Sequence, residues 1–250
     1  MSKAERPLRH LSASSISAFL ECPMAFYGRY VFRWPEQHPP FMVRAMRLGA
    51  AVHSALEAFH LGRDPIAALL TQWPRDLDAD AYPVALGLVR LYTSTQERDP
   101  RDRTEHKFSV RVPGVDLPVI GYIDLVRGLT IREFKTTSSS TWWTQERVDT
   151  ALQTTVYSVA MASANHGAQC AIEYHVLNHR EVPQTHTILT TTRNKADREA
   201  GCETIRQAWS DMQKGELNAV CAPGKCRFPT QCREYGYVGL DSEELRVDTR

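Results

Sequence analysis

The chain has 250 residues, 42% of them hydrophobic and 24% charged, with a net charge of +1. That composition excludes a disordered, collagen-like or coiled-coil chain and suits one domain with appendages. No apolar run reaches the roughly 18 residues of a membrane span, and MSKAERPLRHLSASS lacks the apolar stretch of a signal peptide, so a cytoplasmic protein without a membrane partner is expected.

Ser12 or Ser14 can cap a helix in SSISAFLECPMAFYGRYVF, where Ile16, Phe19, Leu20 and Tyr27 recur at helical spacing. Pro23 predicts a break around Cys22. Residues 1–47 carry seven Lys or Arg against three Glu, interleaved with Phe26, Tyr27, Tyr30, Phe32 and Trp34. The mixture suits phosphates and stacked bases, and equally an amphipathic helix with a basic solvent face. WPEQHPPF (34–41) reads as a loop and 47–60 as a helix that Gly62 can end, with further helical stretches near 64–73 and 80–97. The period then changes to two. Residues 105–112, 117–126 and 129–136 alternate between turn signals and predict a three-stranded antiparallel meander. A helix over about 145–164 follows, then strands at 169–178 and 184–191 and a helix over about 194–214; the tail 215–250 has no clear period. This order indicates a single α/β domain over 1–250: a mainly helical part (11–100), a sheet core (101–191) and a helix with a cysteine-rich tail (192–250).

Within GYIDLVRGLTIREFKTT, Asp124 and Glu133 fall on adjacent strands, and strand period puts Glu133 and Lys135 on one face. Two carboxylates and an ammonium at one point suit phosphodiester hydrolysis. Carboxylate oxygens bind Mg²⁺ or Mn²⁺, the metal activates water, and a lysine offsets developing charge. A cross-strand charge cluster at a solvated edge has the same pattern, but Ile123, Leu125, Ile131 and Phe134 around these residues favour burial.

GYID followed by EFK resembles the motif of the PD-(D/E)xK nuclease superfamily in its RecB-type branch. Three further phrases carry the resemblance: Gly49-Ala-Ala-Val-His53 ahead of the pair, Gln153-Thr-Thr-Val-Tyr157 behind it, and the opening LSASSISAFLECPMAFYGRY. It covers roughly residues 11–157 and departs from the motif at Ile123, which stands in place of proline. It implies a restriction-endonuclease-like α/β core (mixed central sheet flanked by helices, order αβββαβ) with a helical N-terminal elaboration and a metal-stapled C-terminal tail. It implies also that His53, Asp124, Glu133 and the carbonyl of Phe134 ligate Mg²⁺ or Mn²⁺, that Lys135 is catalytic, and that Gln153 and Tyr157 contact DNA or hold Lys135. Glu105 is either an outer carboxylate or a solvated strand end.

In a reduced compartment Cys221, Cys226 and Cys232 read as zinc or iron–sulfur ligands, with Cys22, Cys202 or a histidine as the fourth. The resemblance selects Cys22, because a subset of RecB-type nucleases, the AddB-type and CRISPR-associated four-cysteine enzymes, joins the two ends of the domain with a [4Fe–4S] cluster. Four residues between Cys221 and Cys226, where that subset has two, leave Zn²⁺ open. The activity implied is a DNA exonuclease acting on single strands or free ends. The other readings are a subunit of a larger complex (CRISPR spacer acquisition or helicase–nuclease), with a protein partner or homo-oligomer, and a catalytically idle DNA-binding module. No G-x-x-x-x-G-K-[ST] occurs, so any helicase would be a separate polypeptide.

Overall fold

The computed structural model describes residues 8–74, 79–215 and 228–234. Its contacts divide the chain into two compact units: Pro39–Val110 with Gly121–Glu199, and Met1–His38 with Arg111–Ile120 and Ala200–Arg250.

In the second of these, α1 (Ala13–Glu21) opens on a reciprocal cap, in which Ser12 Oγ accepts from Ser15 N–H and Ser15 Oγ from Ser12 N–H. The break comes where Pro23 requires it: Cys22 is extended, and Pro23 occupies the first position of α2 (Pro23–Phe26). A π-helical turn, Tyr27–Val31, follows. The aromatic residues interleaved with the basic ones are in contact with one another. Phe19 and Phe26 are buried and pack edge to face with each other and with Tyr27, Phe32 lies on Trp34, and Trp34 meets Phe228, so the rings pack mainly on one another while Tyr27, Tyr30, Phe32 and Trp34 stay partly exposed. Gly28 is required at this point, since an added Cβ would fall 2.6 Å from the Trp34 ring. The chain on either side of Leu11 is tied by backbone hydrogen bonds to Pro118 and Ile120. Within the tail that lacks a sequence period, Pro229–Glu234 forms a short helix, α9, and α8 spans Lys195–Lys214.

The other unit is built on a mixed sheet of order β1-β2-β3-β4-β5: β1 (Arg103–Val110), β2 (Val119–Arg127), β3 (Thr130–Thr137), β4 (Ala171–Asn178) and β5 (Thr185–Thr192). β2 and β3 pair antiparallel, β3 and β4 parallel, and β4 and β5 antiparallel. The parallel strand β4 is covered on both faces, and its side chains divide between two cores. Leu125, Phe134 and Leu177 face α3 (Pro40–His60), α4 (Pro65–Thr71) and α5 (Ala81–Thr95). Ile123, Ile131, Ile172 and Tyr174 face α6 (Gln145–Thr150) and α7 (Leu152–Ala164). Among the described residues no helix is long and apolar enough to cross a membrane.

Two boundaries differ from the sequence expectation. Helix α3 begins at Pro40, inside the stretch read as a loop, because a proline that cannot donate fits the first helical turn as well as a turn does. The single helix expected over 145–164 is two. Ala151 is extended, and the buried Arg193 guanidinium donates to the Val148 and Asp149 carbonyls that the break leaves without helical partners.

Candidate active site

The antiparallel register pairs Leu125 with Arg132, Val126 with Ile131 and Arg127 with Thr130. Asp124 and Glu133 are the next residue on each strand. There the alternation of β2 breaks: Ile123 and Val126 share one core while Leu125 joins the other. The Asp124 side chain fills the gap in the ladder, its Oδ2 accepting the Phe134 N–H at 2.7 Å.

Glu133 is only 3% exposed and is held by three side chains. Lys135 Nζ donates to its Oε1 at 2.6 Å, Gln153 Nε2 donates to the same oxygen at 2.9 Å, and the Tyr157 hydroxyl lies 3.0 Å from Oε2. The Gln153 amide has one consistent orientation: Nε2 also faces the Tyr157 hydroxyl at 2.7 Å, which leaves its Oε1 to Lys135. Gln153 and Tyr157 are four apart on α7, so one helix face delivers both. The Tyr157 hydroxyl is further positioned 2.9 Å from the Tyr122 carbonyl.

His53 comes from α3. Its Nδ1 is 3.8 Å from Asp124 Oδ1, and its ring stands edge-on to that of Phe134. Gly49, one turn earlier, explains how the helix gets there: a Cβ would lie 2.8 Å from Thr136 Oγ1, so α3 approaches β3 this closely only without a side chain.

The electrostatics follow from burial. Asp124 is held well above the usual carboxylate range by desolvation first and by the neighbouring Glu133 second, with the Phe134 N–H and Lys135 opposing. Burial lowers His53 to about 4, so the imidazole is neutral at pH 7. Burial also acts to lower Lys135, but Glu133 and Asp124 more than offset it and keep the ammonium charged above its ordinary value. Glu105, at a positive φ of 43°, is raised by burial and by Glu57 and Glu133, which places it within electrostatic reach of the pair. Glu57 has no sequence signal of its own; it follows His53 by one helical turn. Trp143 was likewise not singled out, yet its ring lies 5.5 Å from Lys135 Nζ and packs on Tyr174.

One buried and one partly buried carboxylate, a neutral imidazole and a backbone carbonyl are hard or borderline donors that fit Mg²⁺ or Mn²⁺, and desolvation together with Glu133 leaves Asp124 short of compensating positive charge. As they stand, no three His, Cys, Asp or Glu side chains among the described residues form a metal-holding group. Glu133 is engaged by Lys135, Gln153 and Tyr157 instead.

Cys22 and Cys232 share one apolar cluster with Met24, Phe228 and Trp34. Cys221 and Cys226 lie outside the described residues.

The family model of the PD-(D/E)XK nuclease superfamily matches residues 10–233. A candidate exonuclease from Eubacterium rectale has a crystal structure similar to this chain at TM-score 0.62, with 12% identity over 97% of this chain and 91% of its own. At that identity the likeness concerns the fold: a helix-flanked, five-stranded mixed sheet matching the restriction-endonuclease-like nuclease fold. A second structure, SSO0001, is 13% identical over 74% of this chain and 80% of its own, at TM-score 0.33. No curated protein matches the chain.

Proposed function

Because the chain belongs to the PD-(D/E)XK nuclease superfamily, we propose that it is a metal-dependent deoxyribonuclease, an exonuclease acting on single-stranded DNA or on DNA ends. The observation that carries this reading is the charged Lys135 hydrogen-bonded at 2.6 Å to a buried Glu133 that sits beside a second, partly buried carboxylate. His53, Asp124, Glu133 and the Phe134 carbonyl would hold Mg²⁺ or Mn²⁺. Bound there, the ion would polarise a phosphoryl oxygen and lower the pKa of an attacking water.

The chain's own groups have separable tasks. The neutral His53 keeps a lone pair for coordination. Gln153 and Tyr157 hold the Glu133 carboxylate from two sides, and their own hydrogen bonds fix its rotamer before substrate arrives. Lys135 carries a positive charge that can follow the phosphate oxygens as charge develops on them. The proposed duties are recombination, repair or phage DNA processing. A [4Fe–4S] cluster, or Zn²⁺, at Cys22, Cys221, Cys226 and Cys232 belongs to the same reading as a structural element without a part in hydrolysis.

The test uses end-labelled linear and circular single-stranded DNA with Mn²⁺ or with chelator. Loss of linear DNA alone, only with metal, is the expected result. Lys135→Ala should lower the rate about 10²- to 10³-fold, the scale for removing one preorganised charge-stabilising group. A parent that leaves linear DNA intact with either metal would overturn the proposal, and cleavage of circles would replace exonuclease by endonuclease.

The helix–strand approach gives an independent check. Gly49→Val is expected to push α3 off Thr136 and carry His53 away from Asp124. The turnover number should fall about 10²-fold, the scale for a displacement near 1 Å. Parental turnover in a folded Gly49→Val protein would show that the approach does not position His53.

A further inference from the structure

Beyond the carboxylate pair, the chain between β3 and α6 carries Trp142 and Trp143 in the run TWWTQER. The two rings are treated oppositely. Trp143 packs tilted on Tyr174, ring centroids 5.6 Å apart, and belongs to the margin of the core. Trp142 is 55% exposed. It is nonetheless held in place. Thr144 caps α6 through Arg147 N–H, which sets Arg147 in the first turn, and its guanidinium lies 4.0 Å from the Trp142 centroid and 5.5 Å from that of Trp143. Trp143 in turn lies 5.5 Å from Lys135 Nζ. An exposed tryptophan alone is ordinary. One that is anchored by its neighbour, covered by a guanidinium and a single ring away from the proposed catalytic lysine is a preorganised π-surface with positive charge beside it.

We infer that Trp142 with Arg147 is the stacking platform for an unpaired nucleobase of the DNA strand whose phosphate lies at Lys135. Resting on the nuclease reading above, this names the part of the substrate that the site selects: a base free of its complement, since a ring of a paired and stacked duplex has no open face to offer. Arg147 adds a cation for the adjoining phosphate, and the exposed Ser138, Ser140 and Thr141 border the same stretch.

Binding measured without cleavage separates this inference from the activity. With chelator present, the anisotropy of a short fluorescein-labelled oligothymidylate would be followed with the parent, Trp142→Ala and Trp142→Phe, and again with an oligonucleotide of abasic residues. The alanine variant should bind the thymidylate about 10-fold or more weakly, and the phenylalanine variant should retain most of the affinity. The abasic strand should lose affinity on the parent but little on Trp142→Ala, because both changes remove the same contact. Equal thymidylate binding by parent and Trp142→Ala, or equal abasic losses on both, would overturn the platform. A parent that cleaves with metal while Trp142→Ala binds normally leaves the nuclease reading standing and removes this one. A parent that binds through Trp142 yet cleaves nothing does the reverse.

Discussion

Asp124→Asn is expected to abolish cleavage while leaving the metal-free fold as stable as the parent or more so. The two effects have one cause. Asp124 sits beside Glu133 and is largely shielded from water, and burial and the second carboxylate both oppose its ionisation. The asparagine amide oxygen can still accept the Phe134 N–H, so the strand junction is kept and only the charge is lost. Turnover should fall on the order of 10⁴-fold, the scale for deleting one member of a catalytic set that acts as a unit. Stability in chelator should stay level or rise by about 1 kcal/mol, as is common where function maintains an unfavourable charge. In a chain of this length that is a melting point about 2–4 °C higher. Cleavage assays with Mn²⁺ and thermal melts in chelator check both halves; a variant that melts well below the parent would show that the carboxylate is structural.

The largest stability loss is expected from Asp102→Asn, remote from the chemistry. Asp102 and His60 have no side-chain exposure. The Asp102 carboxylate accepts from Arg127 Nε and Nη2, each at 2.7 Å, from His60 Nδ1 at 2.8 Å and from the Asp99 N–H at 3.0 Å. A carboxylate only accepts, so the His60 proton is on Nδ1, and Nε2 takes the Tyr92 hydroxyl at 2.8 Å. An asparagine would turn an N–H₂ toward one of these donors and leave the guanidinium without its counter-charge. The cost should be about 3–5 kcal/mol, the range for breaking a buried pair from one side. The pH dependence has a definite sign. Burial alone would raise Asp102, but Arg127, the Asp99 N–H and His60 outweigh it and hold the pKa below the ordinary value. The group therefore contributes its stability above the unfolded-state pKa and loses it as pH falls through the lower folded-state value. The gap between parent and variant should be full at pH 7 and close below about pH 4. Denaturant melts at several pH values measure it, and a gap that is absent at pH 7 would refute the assignment.

Much of this architecture is legible in the chain because its signals are local. Ser12 and Pro23 mark where α1 starts and stops, and two-residue alternation finds β1, β2 and β3 to within a few residues. The motif residues are legible for the same reason: Glu133 and Lys135 are two apart on a strand, and Gln153 and Tyr157 four apart on a helix. What escapes is set by partners distant in sequence. Nothing in QERVDTALQ announces a break at Ala151, because the group that satisfies the freed carbonyls is Arg193, beyond β5. Nothing in the aromatic run 26–34 announces that its last ring, Trp34, packs on Phe228 nearly two hundred residues later. Trp142 looks like any surface tryptophan until Arg147 and Trp143 fix it in place. Glu57 and Glu105 gain meaning only when α3 and β1 bring Glu105 within electrostatic reach of both Glu57 and Glu133.

The break at Ala151 has a consequence for how such an enzyme can be altered. An unbroken helix over 145–164 would make one rigid rod, and any change in its first turns would be transmitted to Gln153 and Tyr157. The extended residue acts as a universal joint, and Arg193 clamps the α6 end of it. Val148 and Trp143 stay seated in the core on this side of the joint, so only the exposed positions of 138–150 are open to change. Substitutions at those exposed positions, with Val148, Trp143 and Arg193 kept, would alter the surface upstream of Ala151 while the residues around Glu133 keep their spacing.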